Sequence, residues 1–403
     1  MTAKHSPLRF DLMEVGYWCA YGAFTTFCVS YVLELGMSAS GVGFMAAVYM
    51  LCAFLGQFFW GALCDRTGAH RPLFALGCAL LFLAFCLFFA HPLGPLGLLL
   101  YGAVGFIQQP VGALLDTWVM RSCRAEPHRF GRARACSTFA YALLMPLQGN
   151  LIRALGYGCM VAGAGLFLLL SLLVCLLTAD APAVARSAVA RPAVARPAGQ
   201  ERPSLRRSTR ALGPLALVLL LLFCMGVANA PQIQLTALLV AGVGGTVVHQ
   251  SYVMFANSIA QSPVLMLSRR LFRVSAPRRL CAASALFVLT LLCIAAARTP
   301  AQLTCCYLLN GLGSALYLPA MRQMMLELAP ANLQATAQGL GDATYQSLAG
   351  MCSTALSGVV VERLGVRCMV LLCLAVQAFS LCLLLAYCAR GARRVPQGRA
   401  EGL

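Results

Sequence analysis

Few ionisable side chains interrupt the apolar stretches of this 403-residue chain, and those few mark where chemistry could occur. An ionised group at the centre of a membrane helix costs about 2.5–3.5 kcal/mol on insertion scales, so its retention points to a use. Asp116 lies in Gly112-Ala-Leu-Leu-Asp116-Thr117-Trp118, and Arg134 opens the next apolar stretch. An acid and a base on adjacent helices each offset the other's desolvation. The same two residues would also serve as a structural ion pair near a membrane interface, with Arg134 snorkelling. Glu14 and Asp342 are further acids within apolar stretches. A carboxylate in a cavity of low dielectric can load and release protons near neutral pH.

Residues three, four and seven apart share one helical face. Arg134, Thr138, Tyr141 and Gln148 form such a face, as do Glu14, Tyr17, Tyr21 and Phe24. Others are Asn229 with Gln232 and Thr236, Gln250 with Asn257 and Gln261, and Asn310 with Ser314 and Tyr317; Gln338, Asp342, Tyr345 and Gln346 fall close together as well. Any one amide could be interhelical hydrogen-bond glue. Together they read as polar lining, and amides and hydroxyls beside flat aromatic rings suit a neutral polar solute. The chain offers no nucleophile with a base, no metal-ligand cluster and no phosphate loop, so neither an enzyme nor a cofactor is expected.

The elements that must position these residues are membrane helices. Hydrophobic types make up 60% of the chain and charged types 10%, whereas a soluble protein carries about 25% charged residues. Stretches near the roughly 20 residues of one bilayer crossing run from Arg9 to Leu35, Ser40 to Cys64, Pro72 to Ala90, Pro95 to Met120, Phe130 to Arg153 and Tyr157 to Thr178. A second set runs from Leu212 to Val240, Thr246 to Leu267, Leu280 to Ala297, Ala301 to Leu328, Leu333 to Val361 and Gly365 to Ala389. The fold class predicted is therefore an all-α integral membrane protein of twelve transmembrane helices in two six-helix halves. Residues 1–178 form the first bundle, 179–211 a linker and 212–403 the second bundle with a short basic tail. The linker repeats AVARS, AVARP, AVARP before ERPSLRRSTR, a Pro-rich basic tether whose Arg residues could meet anionic lipid.

The net charge of +18 would suggest nucleic acid in a soluble protein. Here the Arg residues concentrate in alternate connections, after the second, fourth, eighth and last stretches and in the linker. The positive-inside rule then places both termini in the cytoplasm. The first stretch is long and aromatic without a small-residue cleavage site, and so reads as a helix rather than a signal peptide. The 20 Cys are scattered through apolar stretches and read as small buried hydrophobes, neither disulfides nor metal ligands.

At the end of the second stretch the chain reads Gly61-Ala-Leu-Cys-Asp65-Arg66-Thr-Gly68-Ala-His-Arg71. This resembles the signature of the major facilitator superfamily between its second and third helices. The resemblance implies close helix approach at Gly and a cytoplasmic latch made by Asp65, Arg66 and Arg71. Phe130-Gly131-Arg132-Ala133-Arg134 looks like a segment of the lactose permease-like oligosaccharide:proton symporters. That resemblance implies that Arg134 pairs with Asp116, eighteen residues earlier, and that Tyr141, seven later, stacks on a sugar. The second half departs from the group, since Asn310 and Gly313 fall where the symporters carry the His and Glu of proton coupling, and Asn257 falls near another expected acid.

The expectation that follows is a secondary active transporter importing a small polar organic solute, of sugar or nucleoside type, by alternating access and proton-coupled symport. Its solute site comprises Asp116, Arg134, Tyr141, Thr138, Tyr21, Asn229, Asn257 and Asn310, and its proton carriers are Asp342, Glu14 or Asp116. The alternatives are proton-driven efflux of drugs or metabolites, uptake of an aromatic carboxylate, and a membrane receptor that does not transport. Its partners are the solute, protons and membrane lipid, and it acts as a monomer in the cell's inner membrane. The Arg distribution makes one expectation testable at once: a fluorescent reporter that folds only in the cytoplasm lights up when fused after Leu403 or near Arg196. Dark fusions at both places overturn the topology.

Overall fold

The computed structural model describes residues 7–122, 128–178, 205–266, 274–329 and 339–392, and every regular element among them is helical. In chain order these are α1 (Pro7–Glu34), α2 (Ala39–Thr67), α3 (His70–Ala90), α4 (Gly94–Ser122), α5 (His128–Leu155) and α6 (Gly158–Leu177). There follow α7 (Leu205–Gln234), α8 (Thr236–Gly242), α9 (Val247–Met266), α10 (Ala276–Ala296) and α11 (Pro300–Leu328). A π-helical segment (Ala343–Leu348) leads into α12 (Ala349–Leu364), and α13 (Val366–Ala392) closes the series. These helices account for the twelve spans read from the sequence, α7 and α8 sharing one. The AVAR repeats lie outside the described residues with most of the linker, as do Arg124, Leu333 and Gln338.

Two boundaries differ from the sequence reading. The helix expected from Leu212 begins at Leu205, because Leu205 to Leu212 holds good helix formers and no Pro. The expected continuous span to Val240 breaks at Leu235, whose φ of −109° and ψ of 26° leave the helical region.

Helix formation here follows from solvent, since a chain in lipid must satisfy its backbone polar groups within itself. Seven described helices, α2, α3, α4, α6, α7, α10 and α13, contain a stretch long and apolar enough to cross a membrane by composition alone. Of the rest, α1, α5 and α11 have 28, 28 and 29 residues, ample length for a crossing. Their composition is diluted by the polar residues singled out above, among them Glu14, Arg134 and Asn310.

The chain divides into two compact units, residues 1–37 with 45–218 and residues 38–44 with 219–403. In the first, α1 packs against α5 and α6, and α3 against α4 and α6. In the second, α11 packs against α9 and α10, and α13 against α10 and α12. Small residues set the closest approaches. Pro110 has no N–H, which leaves the Phe106 carbonyl without its helical donor. Gly56 lies so near that a Cβ there would stand 2.2 Å from that oxygen. On α11 a Cβ at Gly311 would stand 2.1 Å from the Asn257 carbonyl of α9. Gly339 behaves differently, since a Cβ there would meet nothing within 4 Å among the described residues.

Because the obstacle at Gly311 is backbone, it cannot swing aside. Gly311→Ala is therefore expected to destabilise the protein by about 1–3 kcal/mol, read as a lower thermal midpoint in detergent, whereas Gly339→Ala leaves the midpoint unchanged.

Candidate functional site

The first unit gathers its charges where α1, α4 and α5 meet. Arg134 Nη1 lies 3.3 Å from Asp116 Oδ1 and 3.7 Å from Glu14 Oε2. Glu14 is wholly buried, Asp116 is 17% exposed and Arg134 30% exposed at the side chain. Glu14 Oε1 finds no hydrogen-bond partner among the described residues. The Trp18 indole N–H donates to Glu14 Oε2 at 2.9 Å, and the Arg134 guanidinium carbon sits 4.0 Å from the centre of the indole ring. One cation is thus shared by two carboxylates and an aromatic face. Arg132 makes a separate pair with Asp11 at 2.6 Å.

The neighbouring residues proposed from sequence are placed as follows. Tyr141 shares a hydrogen bond with Thr26 at 3.0 Å between hydroxyl oxygens, and its ring edge fills the space beside Gly22, 2.6 Å from where a Cβ would be. The Thr138 hydroxyl donates to the Arg134 carbonyl at 2.9 Å, so its proton is committed to its own helix. Tyr21 tilts against Trp18 with ring centres 5.6 Å apart. Gln148 donates to the Cys159 carbonyl at 2.9 Å, so it serves the α5–α6 contact.

In the second unit, Asn310 donates to Asn229 Oδ1 at 3.2 Å, and Asn229 donates to the Tyr345 hydroxyl at 2.8 Å. Tyr345 stacks on Tyr317 with ring centres 4.1 Å apart. Tyr345 is carried by the π-helical segment, a conformation common at functional sites. The same segment brings the Tyr345 carbonyl within 2.3 Å of a Cβ built on Gly226. Asn257 stands apart from this network, buried with its Oδ1 unpartnered among the described residues. Asp342 lies 4.0 Å from Arg322, both side chains partly exposed. Gly313 has no room for a carboxylate: a Cβ there would already stand 2.7 Å from the Phe287 ring.

The Gly61 to Arg71 motif spans the end of α2, the turn and the start of α3. Gly68 has φ of 65°, the left-handed conformation that turns the chain between these helices. A Cβ at Gly61 would meet nothing within 4 Å among the described residues. Asp65 and Arg66 are exposed, and Arg71 donates to the Leu176 carbonyl at 2.5 Å.

Two residues escaped the sequence reading. Trp18 lies one turn after Glu14, a spacing that was legible but had no chemistry attached to it. Gln108, on α4, is almost fully buried; its Oε1 accepts from Thr25 and Tyr49, both at 2.9 Å, and its carbonyl accepts from Tyr17. An amide in an apolar run gives no sign of being such a hub.

No curated protein sequence matches the chain significantly. Among solved structures, a mutant of the nucleoside transporter NupG is similar with a TM-score of 0.76 at 16% identity, covering 95% of this chain and 99% of that one. An auto-inhibited POT family peptide transporter reaches 0.68 at 16% identity, covering 98% and 99%. A POT family transporter in complex with a thioalcohol-conjugated peptide reaches 0.71 at 12% identity, covering 96% of each chain. At such identities the likeness is one of fold. The family model for the Major Facilitator Superfamily matches residues 13–354, a stretch that takes in Glu14, Asp116, Arg134 and Asp342. The chain belongs to the Major Facilitator Superfamily of membrane transporters.

Proposed function

We propose that the protein imports a small polar organic solute, of sugar or nucleoside type, by proton-coupled symport. The observation that carries this reading is the single Arg134 guanidinium held between Asp116 and a wholly buried Glu14. Such a cluster is anionic while both acids are ionised, and one proton makes it neutral. Asp116 and Arg134, the more exposed members, supply an acceptor and a forked donor to solute hydroxyls. Glu14, the buried member, holds the transported proton. Tyr141 and Tyr21 offer aromatic surface, and Asn229 and Asn310 add amides in the second unit. The crowding of Gly313 by Phe287 supports a coupling site outside the second half's symporter positions. Likeness to a nucleoside transporter makes nucleosides the first solutes to assay.

In the same reading, residues 1–178 and 212–403 are two rocking halves joined by a basic cytoplasmic linker. Asp65, Arg66 and Arg71 latch the cytoplasmic side, and the monomer sits in the inner membrane with both termini inside.

Counterflow and uphill uptake of labelled uridine and lactose in proteoliposomes separate the roles. Arg134→Lys and Asp116→Ala are expected to lower counterflow at least tenfold, because an ammonium lacks the fork and a lone charge is stranded. Glu14→Gln is expected to abolish uphill accumulation and spare counterflow. If Asp342→Asn does this instead, the proton site moves to Asp342, and accumulation driven outward in inverted vesicles favours efflux.

The cluster also bears on stability. Arg134→Ala leaves two carboxylates without their cation and is expected to cost up to about 3–5 kcal/mol, less for the partial exposure of Asp116. Adding Glu14→Gln to that variant is expected to restore part of the lost thermal midpoint.

A further inference from the structure

Trp18 touches both partners of the buried ion pair, and this gives it a part in the chemistry. Glu14 and Trp18 are one turn apart on α1, so both face the same side of the helix. Glu14 Oε2 accepts the indole N–H at 2.9 Å and stands 3.7 Å from Arg134 Nη1, while the guanidinium lies over the indole at 4.0 Å. Carboxylate, indole and guanidinium thus form a closed triangle.

The charged neighbours of Glu14 are few. From α4 comes Asp116 and from α5 Arg134; Arg132 of α5 is engaged by Asp11 of α1. From α6 comes the neutral Ser171, whose hydroxyl donates to the Met13 carbonyl at 2.7 Å. An ionised Glu14 therefore competes with Asp116 for one cation, and it is the member held by Trp18. A proton arriving at Oε1, the oxygen without a described partner, removes the negative charge that strengthens the indole hydrogen bond. It also removes the attraction that draws Arg134 towards α1, and Asp116 keeps its claim on the guanidinium.

We infer that Trp18 is a positioning residue that couples the charge state of Glu14 to the position of Arg134, so that protonation hands the guanidinium to Asp116 before solute binds. This inference deepens the proposed symport reading and rests on it for its role in transport. The coupling itself requires only the proton.

The chain has 3 Trp, so fluorotryptophan incorporation gives a small set of fluorine resonances, of which Trp18 is assigned by its loss in Trp18→Phe. Full-length protein in detergent is titrated with acid and base in the absence of solute. The Trp18 resonance is expected to shift through one transition that disappears in Glu14→Gln and moves by about one pH unit in Asp116→Asn, a tenfold change in proton affinity. A resonance that does not respond to pH, or a transition that persists unchanged in Glu14→Gln, overturns the inference. Trp18→Phe keeps a ring beneath Arg134 and loses the N–H donor. It is expected to shift the pH profile of uridine or lactose exchange by about one unit as well, whereas a purely structural role lowers exchange equally at every pH. A normal titration of Trp18 with no exchange of any solute sinks the symport reading and leaves the coupling standing.

Discussion

A buried charge must find its opposite, and the first unit is organised around that constraint. Glu14 has no exposed surface, and desolvating a lone carboxylate costs several kcal/mol. Arg134 offsets that cost, yet it also serves Asp116, so neither acid has the cation to itself. One guanidinium thus stands against two carboxylates, at 3.3 Å from one and 3.7 Å from the other. Three helices must meet at fixed depth for this to work, and the packing of α1 against α4 and α5 supplies that register.

The second unit meets the same demand without charge. Asn310, Asn229 and Tyr345 pass hydrogen bonds along a chain, and Tyr317 closes it with a stacked ring. Neutral groups avoid the cost of burying ions but still need partners. The π-helical segment helps, because its altered winding sets Tyr345 within reach of Asn229 while its carbonyl approaches Gly226. Asp342, only partly buried beside Arg322, adds an acid just before that segment.

Glycine sets close helix approach in both units, since a residue without a Cβ lets backbones come near. Gly56 against the Phe106 carbonyl and Gly311 against the Asn257 carbonyl mark two such places. In each, glycine meets backbone rather than a movable side chain. Of the glycines in the motif at the α2–α3 turn, Gly68 shapes the turn, and Gly61 meets no described residue within 4 Å of a Cβ.

What the sequence alone determined was the class of fold and the identity of its costly residues. Long apolar stretches admit only helices in lipid, and an intramembrane Asp116, Arg134 or Glu14 stands out because its burial is expensive. The resemblance to the symporters implied the Asp116–Arg134 pairing, and opposite charges on consecutive helices gave it a physical reason. Only tertiary structure decided that Glu14 shares the same cation, because nothing in the spacing of residues 14 and 134 sets their distance in space. It alone revealed Trp18 as the bridge and Gln108 as a hub, for an indole or amide acquires its role from what lies opposite it. It separated Asn257 from the Asn229–Asn310 pair, although all three had read alike as polar faces. Helical periodicity fixes which residues share a side, whereas which sides meet is settled by packing.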